Sequence, residues 1–182
     1  MDPTDPNQLA SLATLFPQPL TPQPRQPAED QLGQLQAQPR FGFLLLALVQ
    51  SESTSTAIRL ASAIQFKNLC KTRWNDDAET EDPVFSAISD DEKQAIRQQL
   101  VPVLVSLASA STPSQAILSQ MNESVALVAS SDFPEAWPAL IDELVSQLST
   151  DNHHVLLSVL ATSHAIFKQW RSQFRSDALY SE

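Results

Sequence analysis

Two glycines, Gly33 and Gly42, are all that 182 residues contain, against thirteen prolines. That ratio constrains the fold more than any other feature of the sequence. Tight hairpins and strand bulges draw on glycine for positive φ angles, and here there is almost none to draw on. Helices joined by Pro, Ser and Asp turns need little of it. Hydrophobic residues make up 42% of the chain, enough for a packed core and too many for wholesale disorder.

The apolar spacing and its punctuation predict eight helices, over residues 7–16, 27–38, 41–50, 57–74, 89–109, 112–130, 132–148 and 151–174. Pro27 suits a first helical position, with Glu29 and Asp30 following in the first turn. Ser89 and Glu92 have capping-box spacing, and Asp90 and Asp91 between them favour the helix dipole. Thr112, Pro113 and Gln115 read as an N-cap, a first-position proline and a second capping box. Asp151 or Asn152 caps the last helix. Pro102 is expected to kink the helix that contains it.

Taken in pairs, these helices give units over 7–38, 41–74, 89–131 and 134–175, with an acidic loop over 75–88. Pair starts near residues 7, 41, 89 and 134 are 34, 48 and 45 residues apart, close to the HEAT/armadillo period of about 40–47 residues. The second helix of each pair is apolar on more than one side. A stacked array covers such a helix, because it touches its partner and both neighbouring units. The expectation is an all-α HEAT-repeat solenoid of about four antiparallel pairs, the alternative being a compact irregular all-α domain. The last helix runs into "RSDALYSE" without a polar cap, as if a longer array were cut at its C-terminal side.

A net charge of −10 and a pI near 4.6 argue against nucleic-acid binding, which needs a basic face. They suit basic protein partners. The single cysteine, Cys70, excludes an intrachain disulfide and reads as a small buried hydrophobe in a reducing compartment. "MDPTDPNQ" is unlike a signal peptide. The longest apolar run, Phe41–Val49, is too short to span a bilayer. A soluble nuclear or cytoplasmic protein is expected, in which the Asn122-Glu123-Ser124 sequon carries no meaning.

Catalysis finds little support. Asp76, Asp77, Glu79, Glu81 and Asp82 resemble an aspartate-rich diphosphate motif, but they precede Pro83 between helices, with no second metal motif, and read as a solvated loop. The loop also lacks an EF-hand's glycine and spacing. His153 and His154 diverge by about 100° on a helix, and His164 lies about 16 Å along the axis from His153, so they cannot share one zinc ion. Cys70 has no histidine near it in sequence, and two glycines cannot form a phosphate loop. The chain reads as a binding scaffold, not an enzyme, with no cofactor of its own.

One helix stands apart. "AIRLASAIQFKNLCKTRW" (Ala57–Trp74) holds four of the eleven cations and no acid. At 100° per residue, Lys67, Asn68 and Lys71 share an arc of about 100°, and Arg59 and Arg73 fall on the opposite side. Lysines near a helix C-terminus are favoured by the dipole alone. The sharper reading is a partner-facing patch.

At this helix the sequence resembles the importin-β N-terminal module, through Arg59, the small stretch Ala61–Ala63, the pair Lys67-Asn68, and Trp74. A second segment, "DFPEAWPALIDELV" (Asp132–Val145), is similar to that family's "DFPxxWPxLL" pattern. "FKN" (Phe66–Asn68), "RQPAEDQL" (Arg25–Leu32) and "HVLLSVLATSHAIFKQWRSQF" (His154–Phe174) look like one subfamily, the CAS-type exportins that return importin-α to the cytoplasm. The resemblance implies a nucleocytoplasmic shuttling receptor of which this would be the N-terminal part. It implies Ran-GTP held by the inner, second helices, with GTP and Mg bound by that GTPase and not by this chain. Importin-α is the implied cargo, and Phe-Gly nucleoporins are implied in grooves between first helices, with no nucleic acid and no membrane insertion. Lys67, Asn68 and Lys71 are carried over as Ran-facing, with Asn122 and Glu123 as further candidates. Trp74, Pro134 and Trp137 are carried over as structural anchors. The other readings are a different importin-β family receptor with other cargo, or a generic helical scaffold.

Overall fold

The computed structural model describes residues 5–16, 25–75, 88–148 and 151–172. The body of the acidic loop, the proline-rich segment after Phe16 and the C-terminal "RSDALYSE" lie outside the described residues. Among those described there are eight helices and no strand: α1 (Pro6–Leu15), α2 (Arg25–Gln36), α3 (Phe41–Gln50), α4 (Thr56–Arg73), α5 (Asp90–Ala108), α6 (Gln115–Asp132), α7 (Leu140–Ser146) and α8 (His153–Ser172).

The helices stack in two layers. α4, α6 and α8 lie side by side, α3 and α5 are neighbours in the other layer, and α3 packs on α4 as α5 packs on α6. α8 also rests on α5, and α1 joins α2 to α3. This is the arrangement of a HEAT-type solenoid, and it explains the apolar breadth of the second helices. α6 meets its partner α5 and both neighbours, so Met121, Val125, Val128 and Ala129 are all buried. Each large side chain so buried, such as Phe66, Ile96 or Leu104, contributes about 1.5–3 kcal/mol relative to exposure. α4 is covered on two sides, by α3 and α6, and its third side is open, exposing Ala57, Ile64, Asn68 and Lys71.

Gly42 has a packing reason. A Cβ there would meet Ile96 Cδ1 at 3.2 Å and Leu69 Cδ2 at 3.4 Å. The glycine lets α3 sit close against both α4 and α5.

Several helix ends differ from expectation. α7 begins at Leu140 rather than near residue 132. Pro134 and Pro138 have no N–H to donate, and the N–H groups of Ala136 and Trp137 both turn back to the Asp132 carbonyl, at 2.7 and 2.9 Å. A turn fills the space and the helix starts late. α6 starts at Gln115 with Ser114 as N-cap, which leaves Pro113 outside. α2 starts at Arg25, upstream of Pro27. The capping box at Ser89 is half made: Ser89 Oγ accepts from the Glu92 N–H at 3.4 Å. The Glu92 carboxylate instead accepts from the Arg40 N–H at 3.0 Å, tying the start of α5 to that of α3. Arg40 is the one described non-glycine residue at positive φ, 66°. Asn152 caps α8, accepting from the N–H groups of His154 and Val155. α5 runs unbroken through Pro102, which is exposed.

Candidate partner-binding face

The cations of α4 divide by direction. Arg59 and Arg73 point into the molecule, and each serves the end of an earlier helix. Arg59 Nε donates to the Val49 carbonyl in the last turn of α3, at 2.8 Å. An Arg73 guanidinium nitrogen donates to the Gln36 carbonyl at the end of α2. Terminal helix carbonyls have no partner within their own helix, and a guanidinium supplies one. Arg73 is buried at 6% exposure. That burial lowers its pKa, with the charge of Glu92 acting the other way.

Lys67, Asn68 and Lys71 lie on the other side. Asn68 and Lys71 are exposed, and Lys67 is partly covered. Lys67 Nζ stands 3.7 Å from the Glu123 carboxylate of α6. The two candidate groups on α4 and α6 therefore meet across the seam between their helices. An exposed pair of this kind contributes about 0–1 kcal/mol, so it holds neither helix in place and leaves both side chains available. Ile64 is 39% exposed one turn upstream of Lys67, giving the strip an apolar member.

Asn122 is placed differently from Glu123. It is 9% exposed and faces α8. Its Oδ1 accepts from Thr162 Oγ1 at 2.9 Å and lies 3.5 Å from Ser158 Oγ. Residues 122 and 123 diverge by about 100° on the helix, one toward α8 and one toward α4.

Trp74 and Trp137 are both buried. The Trp74 indole N–H donates to Asp132 Oδ1 at 2.9 Å, and Arg97 pairs with Asp132 Oδ2. A single carboxylate thus fastens the ends of α4 and α6 to α5. Asn75 reinforces the joint by donating to Ser131 Oγ at 3.1 Å. Sequence reasoning treated Trp74 and the "DFP" segment as separate signatures. The structure joins them through a hydrogen bond that no spacing rule could reveal, and it adds Arg97, which carried no signal at all. Phe133 of the same segment stacks on Trp170 of α8, with centroids 4.9 Å apart. Pro134 is exposed and shapes the turn rather than filling the core.

Cys70 is buried, and its thiol is pushed well above the ordinary range, first by burial and then by the charge of Asp132. A thiol so held stays protonated and is a poor nucleophile. Among the described residues no three His, Cys, Asp or Glu side chains are grouped to hold a metal ion, and no helix is long and apolar enough to cross a membrane.

Comparison with known proteins agrees with this architecture. The importin-beta N-terminal domain family matches residues 28–106, a range that includes α3, α4 and most of α5. The chain is 37% identical to the "Importin alpha re-exporter" of Saccharomyces cerevisiae, over 85% of this chain and 15% of that protein. It is 30% identical to the "Exportin-2" of Homo sapiens, over 100% of this chain and 18% of that one. A solved structure, "The exportin Cse1 in its cargo-free, cytoplasmic state", superposes with a TM-score of 0.78 at 32% identity, covering 94% of this chain and 17% of that one. The chain thus spans less than a fifth of the length of each of these relatives. With that family matched across the helix carrying Lys67, Asn68 and Lys71, and with likeness to proteins named exportin running through all eight helices, residues 28–106 form an importin-beta N-terminal domain.

Proposed function

We propose that this chain is the Ran-binding N-terminal part of a nuclear export receptor that returns importin-α to the cytoplasm. The observation that carries the reading is the exposed strip of Lys67, Asn68 and Lys71 on α4. It lies inside the family-matched region, in a chain similar throughout to proteins named for importin-α re-export. The partner is Ran in its GTP state. GTP orders the switch segments of such a GTPase, so a fixed row of donors on packed helices would discriminate GTP from GDP. GTP and Mg belong to that partner, and this chain acts as a scaffold, not as an enzyme.

Cargo and Ran-GTP couple when both favour one arrangement of the stack. Importin-α suits the acidic array through a basic segment. Phe-Gly nucleoporins are assigned to the opposite layer. A groove of about 520 Å³ lies there between α5 and α7, lined by Val101, Pro102, Val105 and Gln147 among others. The receptor would shuttle between nucleus and cytoplasm.

The test is a titration with Ran loaded with GTP or with GDP. Binding of the GTP form alone supports the reading, and equal binding or none overturns it. Lys67→Glu with Lys71→Glu is expected to weaken Ran-GTP binding by at least about tenfold, since like charges then meet the partner's acids, with helicity and melting unchanged. Unaltered affinity in that double variant would remove the strip from the interface. A Ran-dependent complex of the full-length receptor with importin-α, against other cargo, separates this reading from another receptor of the superfamily.

A further inference from the structure

The groove of about 520 Å³ between α5 and α7 has two unlike walls. Val101, Pro102 and Val105 of α5 make one of them, and it is apolar. The other is α7, which brings the carboxylate of Glu143. Glu143 Oε2 is the one buried side-chain nitrogen or oxygen among the described residues that has no hydrogen-bond partner.

An acid in the first turn of α7 suits the helix dipole. That accounts for a charge at this place and leaves the unmet oxygen unexplained. A covered polar atom without a partner carries the full cost of its lost hydration, and buried side-chain oxygens are as a rule paired. The donors beside it in sequence are committed elsewhere. The Ser146 hydroxyl donates to the Glu143 main-chain carbonyl at 2.7 Å, and the Gln147 amide donates to Ser146 Oγ at 3.2 Å. Among the described residues that line the groove, none is Lys, Arg or His. The groove thus joins an apolar wall to an acid that no cation of its own lining answers.

We propose that this groove seats a lysine side chain from an extended segment of a protein partner. The aliphatic stem of lysine lies along Val101, Pro102 and Val105, as such stems do on apolar surfaces, and its ammonium group meets the Glu143 carboxylate. The last torsion of a glutamate is broad, so a rotation there turns either oxygen to the guest. One unmet oxygen suits a compact ammonium better than a guanidinium, which takes a carboxylate by both oxygens. Gln98 and Gln147 also line the groove and carry carboxamide oxygens for the remaining ammonium protons. The seat is independent of Ran binding, which belongs to the layer of α4 and α6. It differs also from Phe-Gly docking, because a Phe-Gly repeat brings a ring to the apolar wall and no cation to Glu143.

The test titrates the whole chain, isotope-labelled for NMR, with short capped peptides. The first carries a lysine among uncharged residues, the second norleucine in its place, which keeps the stem and drops the charge, and the third is a Phe-Gly repeat. The lysine peptide is expected to shift the amide signals of Val101, Val105 and Glu143. It should bind at least about tenfold more tightly than either of the others, the worth of one charge-assisted hydrogen bond. Glu143→Gln keeps the shape of the side chain and removes the charge, and in it the preference for lysine over norleucine is expected to vanish with circular dichroism unchanged. Ser106→Trp closes the groove from its exposed rim and is expected to abolish the shifts with melting unchanged. A norleucine or Phe-Gly peptide bound as tightly as the lysine peptide overturns the seat, as does a lysine preference that survives in folded Glu143→Gln. If that variant fails to fold, undiminished lysine binding in Ser106→Trp overturns it instead. A wild-type chain that does not bind the lysine peptide overturns it as well, and each of these outcomes leaves Ran-GTP binding on α4 untouched.

Discussion

Asp132 is 8% exposed, with one oxygen on the Trp74 indole and the other on Arg97. A buried carboxylate is tolerated only when its lone pairs are taken up, and here both oxygens are engaged. Removing it would leave Arg97, itself largely covered, without its counter-ion. Asp132→Ala is therefore expected to cost about 3–5 kcal/mol, the penalty for breaking a buried pair, read as a lower urea midpoint. A loss below about 1 kcal/mol would mean that water replaces the carboxylate and that the joint is dispensable. Trp137→Ala should cost about 3–5 kcal/mol for a different reason, the cavity left by a large buried ring. An unchanged melting curve would deny the anchor role. The exposed Pro134, by contrast, removes no core contact when replaced, and its influence is confined to the backbone of the turn.

At the scale of the element, α4 shows what the sequence could and could not reveal. Helical periodicity made its existence plain, and angular projection alone separated Arg59 and Arg73 from Lys67, Asn68 and Lys71. What the two arginines do was not legible, because their acceptors are carbonyls of Val49 and Gln36 in other helices. Arg59→Met and Arg73→Met are each expected to lower stability by about 1–3 kcal/mol, the cost of leaving a covered acceptor unpaired. Neither should change Ran-GTP affinity, since both side chains face away from the strip. A selective loss of binding in either would place it at the interface. α7 failed in the opposite way. Its apolar residues suggested a long helix from residue 132, but two prolines remove donors where the first turns would form, and the chain spends Phe133–Ala139 on turns between the end of α6 and Leu140. Asn122 and Glu123 illustrate a further limit. Adjacent in sequence, they were read together, yet one turn angle sends them to different seams.

For the molecule as a whole, the stacking pattern dictates how stability is distributed. Each pair touches its neighbours and little else, so energetic coupling should be short-ranged, as in other repeat arrays. Leu12 of α1 and Ile166 of α8 are both buried, at opposite ends of the stack. Leu12→Ala and Ile166→Val are expected to cost about 2–5 and 0.5–1.5 kcal/mol respectively, and the double variant should equal their sum to within about 0.5 kcal/mol. Trp74→Phe and Asp132→Ala should behave otherwise, because they remove the donor and the acceptor of one hydrogen bond that crosses between pairs. Their double-mutant cycle should leave an interaction energy of about 0.5–3 kcal/mol. Equilibrium urea unfolding of all the variants decides the matter. Coupling between Leu12 and Ile166 as large as that between Trp74 and Asp132 would mean that the helices share one indivisible core, not a stack of nearest neighbours. Additivity at the ends with coupling at the joint would mean that a partner bound at one seam can bias the stack locally, as the proposed coupling of Ran-GTP and cargo requires.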